Sequence, residues 1–163
     1  MKDNSTIKEK SLQGVEIGGR AVAKARATES TAESKGGIDE RIKLALRAAS
    51  EKKALDLVLL DLRDVATFTD YFVIASGSNQ RQVQAIADAV IELLKKSGSP
   101  AARTEGYRSA EWILVDYGDF IVHVFEDKAR KFYDLERLWR EGKRLELPAE
   151  VVNEAAGSLR TES

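Results

Sequence analysis

The sequence predicts a single α/β (α+β) domain, a mixed β-sheet flanked by helices, and three observations carry that prediction. Two sets of apolar residues, Ile38, Ile42, Ala45, Leu46 and Ala49, then Val83, Ile86, Ala87, Val90, Ile91 and Leu94, recur at the spacing that gives a helix one buried face. Four short runs rich in Leu, Val, Ile and aromatic residues, Ala54 to Leu62, Asp70 to Ser76, Trp112 to Asp116 and Phe120 to Phe125, have the length and composition of strands. Glycine, asparagine and proline punctuate the joints between these segments.

The elements follow in order. Met1 to about Gly37 carries Ser, Thr, Lys, Glu and Ala, no aromatic residue and two glycine pairs. Such a stretch has little apolar surface to offset the entropy of ordering, so it reads as a disordered N-terminal extension. Asp3, Glu9, Glu16, Glu29 and Glu33 argue against a mitochondrial presequence, which avoids acids. The first helix starts near Ile38, and the first two strands follow, joined across Arg63 to Thr69. Gly77-Ser78-Asn79 supplies a turn and an N-cap for the second helix. Lys95 and Lys96 complement the helix dipole at its other end, where Gly98 and Pro100 stop it. A short strand is expected within Ala101 to Tyr107. The last two strands are joined tightly across Tyr117-Gly118-Asp119. Phe132, Leu135, Leu138 and Trp139 then lie at the spacing of one final helix. The domain is drawn over 38–147, and 148–163 reads as a weakly ordered tail.

Composition narrows the chemistry. Of 163 residues, 26 are basic and 27 acidic, so no general attraction to nucleic acid is expected. The chain has no cysteine and one histidine, which excludes disulfides, thiolate metal sites, cysteine nucleophiles and multi-histidine metal sites. No apolar run reaches the ~18 residues of a membrane span.

Three groups of residues invite a chemical reading. Asp116 and Asp119 flank a turn, and two such acids suit Mg²⁺, but turn acids also bond neighbouring backbone amides. Gly77-Ser78 at a strand-to-helix joint resembles the start of a nucleotidyltransferase motif. The Asp-x-Asp that should follow to bind metal occurs nowhere between Asp70 and Phe125. By alternation His123 shares a strand face with Ile121 and Phe125, which points to a packed, hydrogen-bonded ring with at most a modest pH sensitivity. What remains is a surface. Tyr107, Trp112, Tyr117, Phe132, Tyr133 and Trp139 gather in the last third of the domain, with Arg103, Arg108, Lys128, Arg130, Lys131, Arg137 and Arg140 among them. Tyr, Trp and Arg dominate interface hot spots. Phe132 and Trp139 are assigned to the core. Two alternatives stay open: a divergent nucleotidyltransferase using Asp116, Asp119 or Asp56 with Mg²⁺, and an RNA-binding protein using the basic segment Arg130 to Arg140.

Three segments carry a resemblance: DYFVIASGSNQRQVQAIAD (Asp70 to Asp88), WILVDYGDFIVHVF (Trp112 to Phe125) and RKFYDLERLW (Arg130 to Trp139). In this order and spacing they resemble the ribosomal silencing factor family, related to plant Iojap, over roughly Ile38 to Trp139. The resemblance implies a nucleotidyltransferase-like fold lacking the catalytic acids, with no enzyme activity, metal or cofactor. It implies a cytoplasmic translational repressor that binds the fourteenth protein of the large ribosomal subunit. There it blocks joining of the small subunit when nutrients are short, and direct RNA contact is secondary. It places Trp112 and Tyr133 on the partner-binding face, with Arg130 and Lys131 as adjacent basic positions that steer the approach or pair with partner acids. It also implies a capacity to form a homodimer.

Overall fold

The computed structural model describes residues 38–152; the N-terminal extension and the end of the C-terminal segment lie outside the described residues. Helix α1 (Glu40–Glu51) begins where Asp39 caps it, the Asp39 carboxylate accepting from the Arg41 amide at 2.8 Å. It buries Ile42, Ala45, Leu46, Ala48 and Ala49. Strands β1 (Leu55–Asp61) and β2 (Tyr71–Gly77) pair antiparallel, with Leu59 opposite Val73. A bulge between Leu55 and Val58 leaves Asp56 at φ 47°. The joint from 62 to 70 is more than a connection, because Leu62, Ala66 and Phe68 are buried in it.

Helix α2 (Gln80–Lys96) shows why Ser78-Asn79 starts a helix. The Asn79 side chain accepts from the Gln82 amide at 2.8 Å, while the Gln82 side chain accepts from the Ser78 amide and hydroxyl at 2.7 and 2.9 Å. This reciprocal arrangement satisfies donors that the first turn leaves free. Gly77 allows the helix to start this close to the sheet, since a Cβ there would lie 3.0 Å from the Val83 side chain and amide.

Strand β3 (Arg103–Glu105) is short; β4 (Trp112–Asp116) and β5 (Phe120–Glu126) form the expected hairpin. Its turn uses Gly118 at φ 88°, with the Asp116 carboxylate accepting from the Gly118 amide at 2.8 Å. The chain continues through α3 (Asp127–Tyr133) and α4 (Leu135–Leu138) to β6 (Lys143–Leu145). The six strands lie in the order β3-β4-β5-β2-β1-β6. Only β2 and β5, at the centre, run parallel. A mixed sheet with helices on its faces is therefore the architecture, as the sequence predicts.

Alternation divides the sheet into two covered faces. Phe120, Val122 and Val124 join Ile113, Val115 and Val73 under α1 and α2. On the other face Phe72, Ile74, Trp112, Leu114, Ile121 and Phe125 are covered by the 62–69 segment and by Ala129, Leu135 and Trp139. Val151 reaches back into the first core and is 2 % exposed. No helix among the described residues is long and apolar enough to cross a membrane.

Two expectations are corrected. The single final helix is two short ones, broken at Asp134, whose φ of 49° and ψ of 53° place it in the left-handed region that Asp tolerates. Strand β6, in a stretch that reads only as increasingly polar, pairs with β1 through Leu59 and Leu145. Its Lys143 and Arg144 are exposed, so it carries little apolar signal. Charged side chains and brevity are how edge strands avoid pairing with other chains.

Candidate functional site

Strand β5 runs directly into α3, so the last third of the domain folds into an elbow standing on the second face of the sheet. The αL residue Asp134 is its corner. Ala129 and Leu135 point inward and anchor the two arms. Phe132 points outward and is 78 % exposed, and Leu138 on the second arm is 45 % exposed. Lys128, Lys131, Arg137 and Arg140 are exposed around them.

Beneath Phe132 a column of rings descends into the core. Phe132 meets Tyr133 edge-on at 5.0 Å between ring centroids. Tyr133, partly buried, lies 4.9 Å from Trp112, and Trp112 stacks on Phe125 at 4.9 Å. The Trp112 Nε1–H donates to His123 Nδ1 at 3.0 Å, which places the ring proton of neutral His123 on Nε2. His123 in turn meets Phe72 edge-on at 4.3 Å. Such offset and edge-on pairs add to plain area burial and fix the rings relative to one another.

The four residues singled out for partner binding separate in this geometry. Tyr133 and Lys131 lie at the surface; the Lys131 ammonium stands 3.7 Å from Asp127, one turn back along α3. Trp112 is 0 % exposed, which corrects its placement on the outer face. Its strand alternation puts it on the covered face, where it is the seat for Tyr133. Arg130 is 8 % exposed, so it is corrected as a free basic position. Its guanidinium is held inside by Glu136, Ser76 and the Asp56 carbonyl. Phe132, assigned to the core, is corrected to the outside: the break at Asp134 takes it out of phase with Leu135. Trp139 is partly buried against Phe68 and Phe72, in keeping with its core assignment. The signal that marks Phe132 is local. Asp134 is a poor residue for a helix interior and a good one for a left-handed corner.

The carboxylates do not converge. Asp119 pairs with Arg41 at 2.6 Å and Asp116 with Arg103 at 3.1 Å. Asp56 sits near the Ser76 end of β2, whereas the Asp119 carbonyl accepts from the amides of Asp70 and Tyr71 at the other end. Seven residues of strand separate those ends by about 20 Å. Among the described residues, no group of three or more His, Asp or Glu side chains is placed to hold a metal ion.

His123 gives the site a stability signature. Burial pushes its imidazole down from 6.5 to about 3, because the charged ring would lose its water. The unfolded chain takes up a proton near 6.5 and the folded one does not. The contribution is therefore fully present above pH 6.5 and is lost as pH falls towards 3. The slope is roughly 1 kcal/mol per pH unit. Urea unfolding between pH 7 and 5, above most carboxylate titration, should show this fall. His123→Gln should be less stable at pH 7 and flat across the same window. An equal slope in both proteins would assign the fall to other groups.

Comparison with known proteins gives four findings. The family model described as "Ribosomal silencing factor during starvation" matches residues 35–163. The ribosomal silencing factor RsfS of Halalkalibacterium halodurans is 39 % identical over 108 residues, covering 66 % of this chain and 92 % of that protein. The chloroplastic protein Iojap of Zea mays is 33 % identical over 102 residues, covering 63 % of this chain and 44 % of that one. A crystal structure of a Chromobacterium violaceum protein superposes with a TM-score of 0.62 at 36 % identity, covering 70 % of this chain and 94 % of the other.

Proposed function

Because the chain belongs to the ribosomal silencing factor family, we propose that it represses translation by binding the large ribosomal subunit and physically blocking the small one. The contact is with the fourteenth protein of the large subunit, in the cytoplasm, when nutrients are limiting. The block is steric: a slowly dissociating complex keeps a second large body away, and no chemical turnover, metal or cofactor enters.

The observation that supports this reading is the elbow. A ring as large as Phe132, held 78 % exposed on a rigid column of other rings, has no role in the fold that needs that exposure. Apolar anchors ringed by polar residues are the anatomy of an interface core. The exposed cations around it contrast with the chain's net charge of −1, so the elbow favours a partner surface with acids at its edge.

Co-sedimentation with isolated subunits tests it. The expected result is selective recovery with the large subunit and fewer joined ribosomes when small subunits are added. Recovery with neither subunit would overturn the proposal. Recovery that collapses steeply between 50 and 200 mM salt, on the order of 10³-fold or more, would point to phosphate contacts and RNA instead.

A further inference from the structure

We propose that Arg130 is the positioning residue of the docking elbow: it fixes the angle between α3 and α4, and so the direction in which Phe132 and Tyr133 are presented. The inference rests on the docking reading of the elbow. It goes beyond that reading by naming what makes the surface rigid.

Four of the five N–H groups of the Arg130 guanidinium donate hydrogen bonds. Nε and Nη2 donate to the two carboxylate oxygens of Glu136 at 3.0 and 3.1 Å, a fork-to-fork pair. Nη1 donates to the Asp56 carbonyl at 2.6 Å and to Ser76 Oγ at 2.9 Å. Arg130 belongs to α3 and Glu136 to α4, so the pair spans the corner at Asp134. The other two bonds reach the β1 bulge and the end of β2. One side chain thus ties both arms of the elbow to each other and to the sheet.

The arms need such a tie. Seven and four residues are far below the length at which a helix persists alone. The corner is a non-glycine residue in the left-handed region, which the surroundings must hold. Leu135 and Ala129 supply apolar anchorage, but apolar contact is non-directional and does not set an angle. A partly buried ion pair is a weak source of stability, but its two parallel hydrogen bonds fix an orientation. The Asp56 carbonyl, turned out of register by the bulge, gives the guanidinium a fixed acceptor on the sheet. Binding then proceeds without first ordering the elbow, and that ordering cost is what preorganisation removes.

The experiment is a double-mutant cycle on large-subunit binding by the full chain, with hydrogen exchange on the free protein. Arg130→Met is expected to leave the sheet amides protected and to speed exchange across residues 127–139 by tenfold or more. It should weaken binding by about tenfold. The cost of Phe132→Ala should shrink from about 30-fold to a few-fold in the Arg130→Met background, because a mispointed ring has less to lose. Glu136→Gln removes one side of the fork while leaving the Asp56 and Ser76 contacts, and should give the same pattern more weakly if Arg130→Met fails to fold. Additive losses, or unchanged exchange over residues 127–139, would overturn the positioning role. If the parent protein does not bind the large subunit, the docking reading fails and the positioning role falls with it.

Discussion

Phe132→Ala is expected to weaken binding to the large ribosomal subunit by about 30-fold, which corresponds to ~2 kcal/mol, while leaving the thermal midpoint of the free protein unchanged. The two halves of that result have separate causes. In the free protein the ring is mostly in water, and it meets Tyr133 edge-on. Surface substitutions of this kind fall within about 0.5 kcal/mol of neutral. In the complex the same ring would be desolvated at the centre of the elbow, where truncation removes both its apolar burial and its fit. Titration by sedimentation or surface capture, paired with a melting curve, reads both halves. Unchanged affinity would remove the elbow from the interface and leave the family relationship without a located surface.

Lys131→Glu offers a contrast at the neighbouring position. Its ammonium is exposed, so it acts on the approach rather than on the docked state. A pattern in which Phe132 governs dissociation and Lys131 governs association would match an apolar centre inside a charged rim.

How much of this is visible in the amino-acid order depends on the range of the physics. The α2 helix is legible because everything that makes it is local: the Asn79 cap, the returning Gln82, the apolar stripe and the glycine and proline that follow. The β4–β5 hairpin is legible for the same reason, through Gly118 and the alternation on either side. That alternation also places His123 with Ile121 and Phe125. It cannot tell which sheet face is covered or by what. The cover over Trp112 includes Tyr133 of α3, a separate element that the strand pattern does not announce. Trp112 is placed outside by the family resemblance alone, and nothing local to its strand reveals the cover that makes it core. Phe132 fails in the opposite sense, since one left-handed residue at Asp134 resets the helical phase on which its burial was inferred. Arg130 reads as a surface cation because two of its partners, Asp56 and Ser76, are 74 and 54 positions away. Strand β6 is invisible for a further reason: an edge strand of charged residues has no apolar pattern to detect.

The inversion of Trp112 and Phe132 makes the second large prediction. Trp112→Ala should destabilise the free protein by ~3–5 kcal/mol, the usual range for emptying a buried tryptophan site. Against a typical domain stability of roughly 5–15 kcal/mol, that is a fifth or more of the whole. The void would open between Phe125, His123 and Tyr133, and His123 Nδ1 would lose its donor inside an apolar core. Trp112→Phe separates the two effects. It keeps an aromatic ring in the stack but not the Nε1–H, so its cost should be nearer ~1–3 kcal/mol. Loss of large-subunit binding should accompany Trp112→Ala only in proportion to unfolding and to the loosening of Tyr133 above it. Denaturant titration distinguishes this from a direct contact. If Trp112→Ala lost binding while its unfolding midpoint stayed with the parent's, the tryptophan would have to leave the core to meet the partner. The ring column would then be a structure that opens on docking rather than the rigid base on which Phe132 stands.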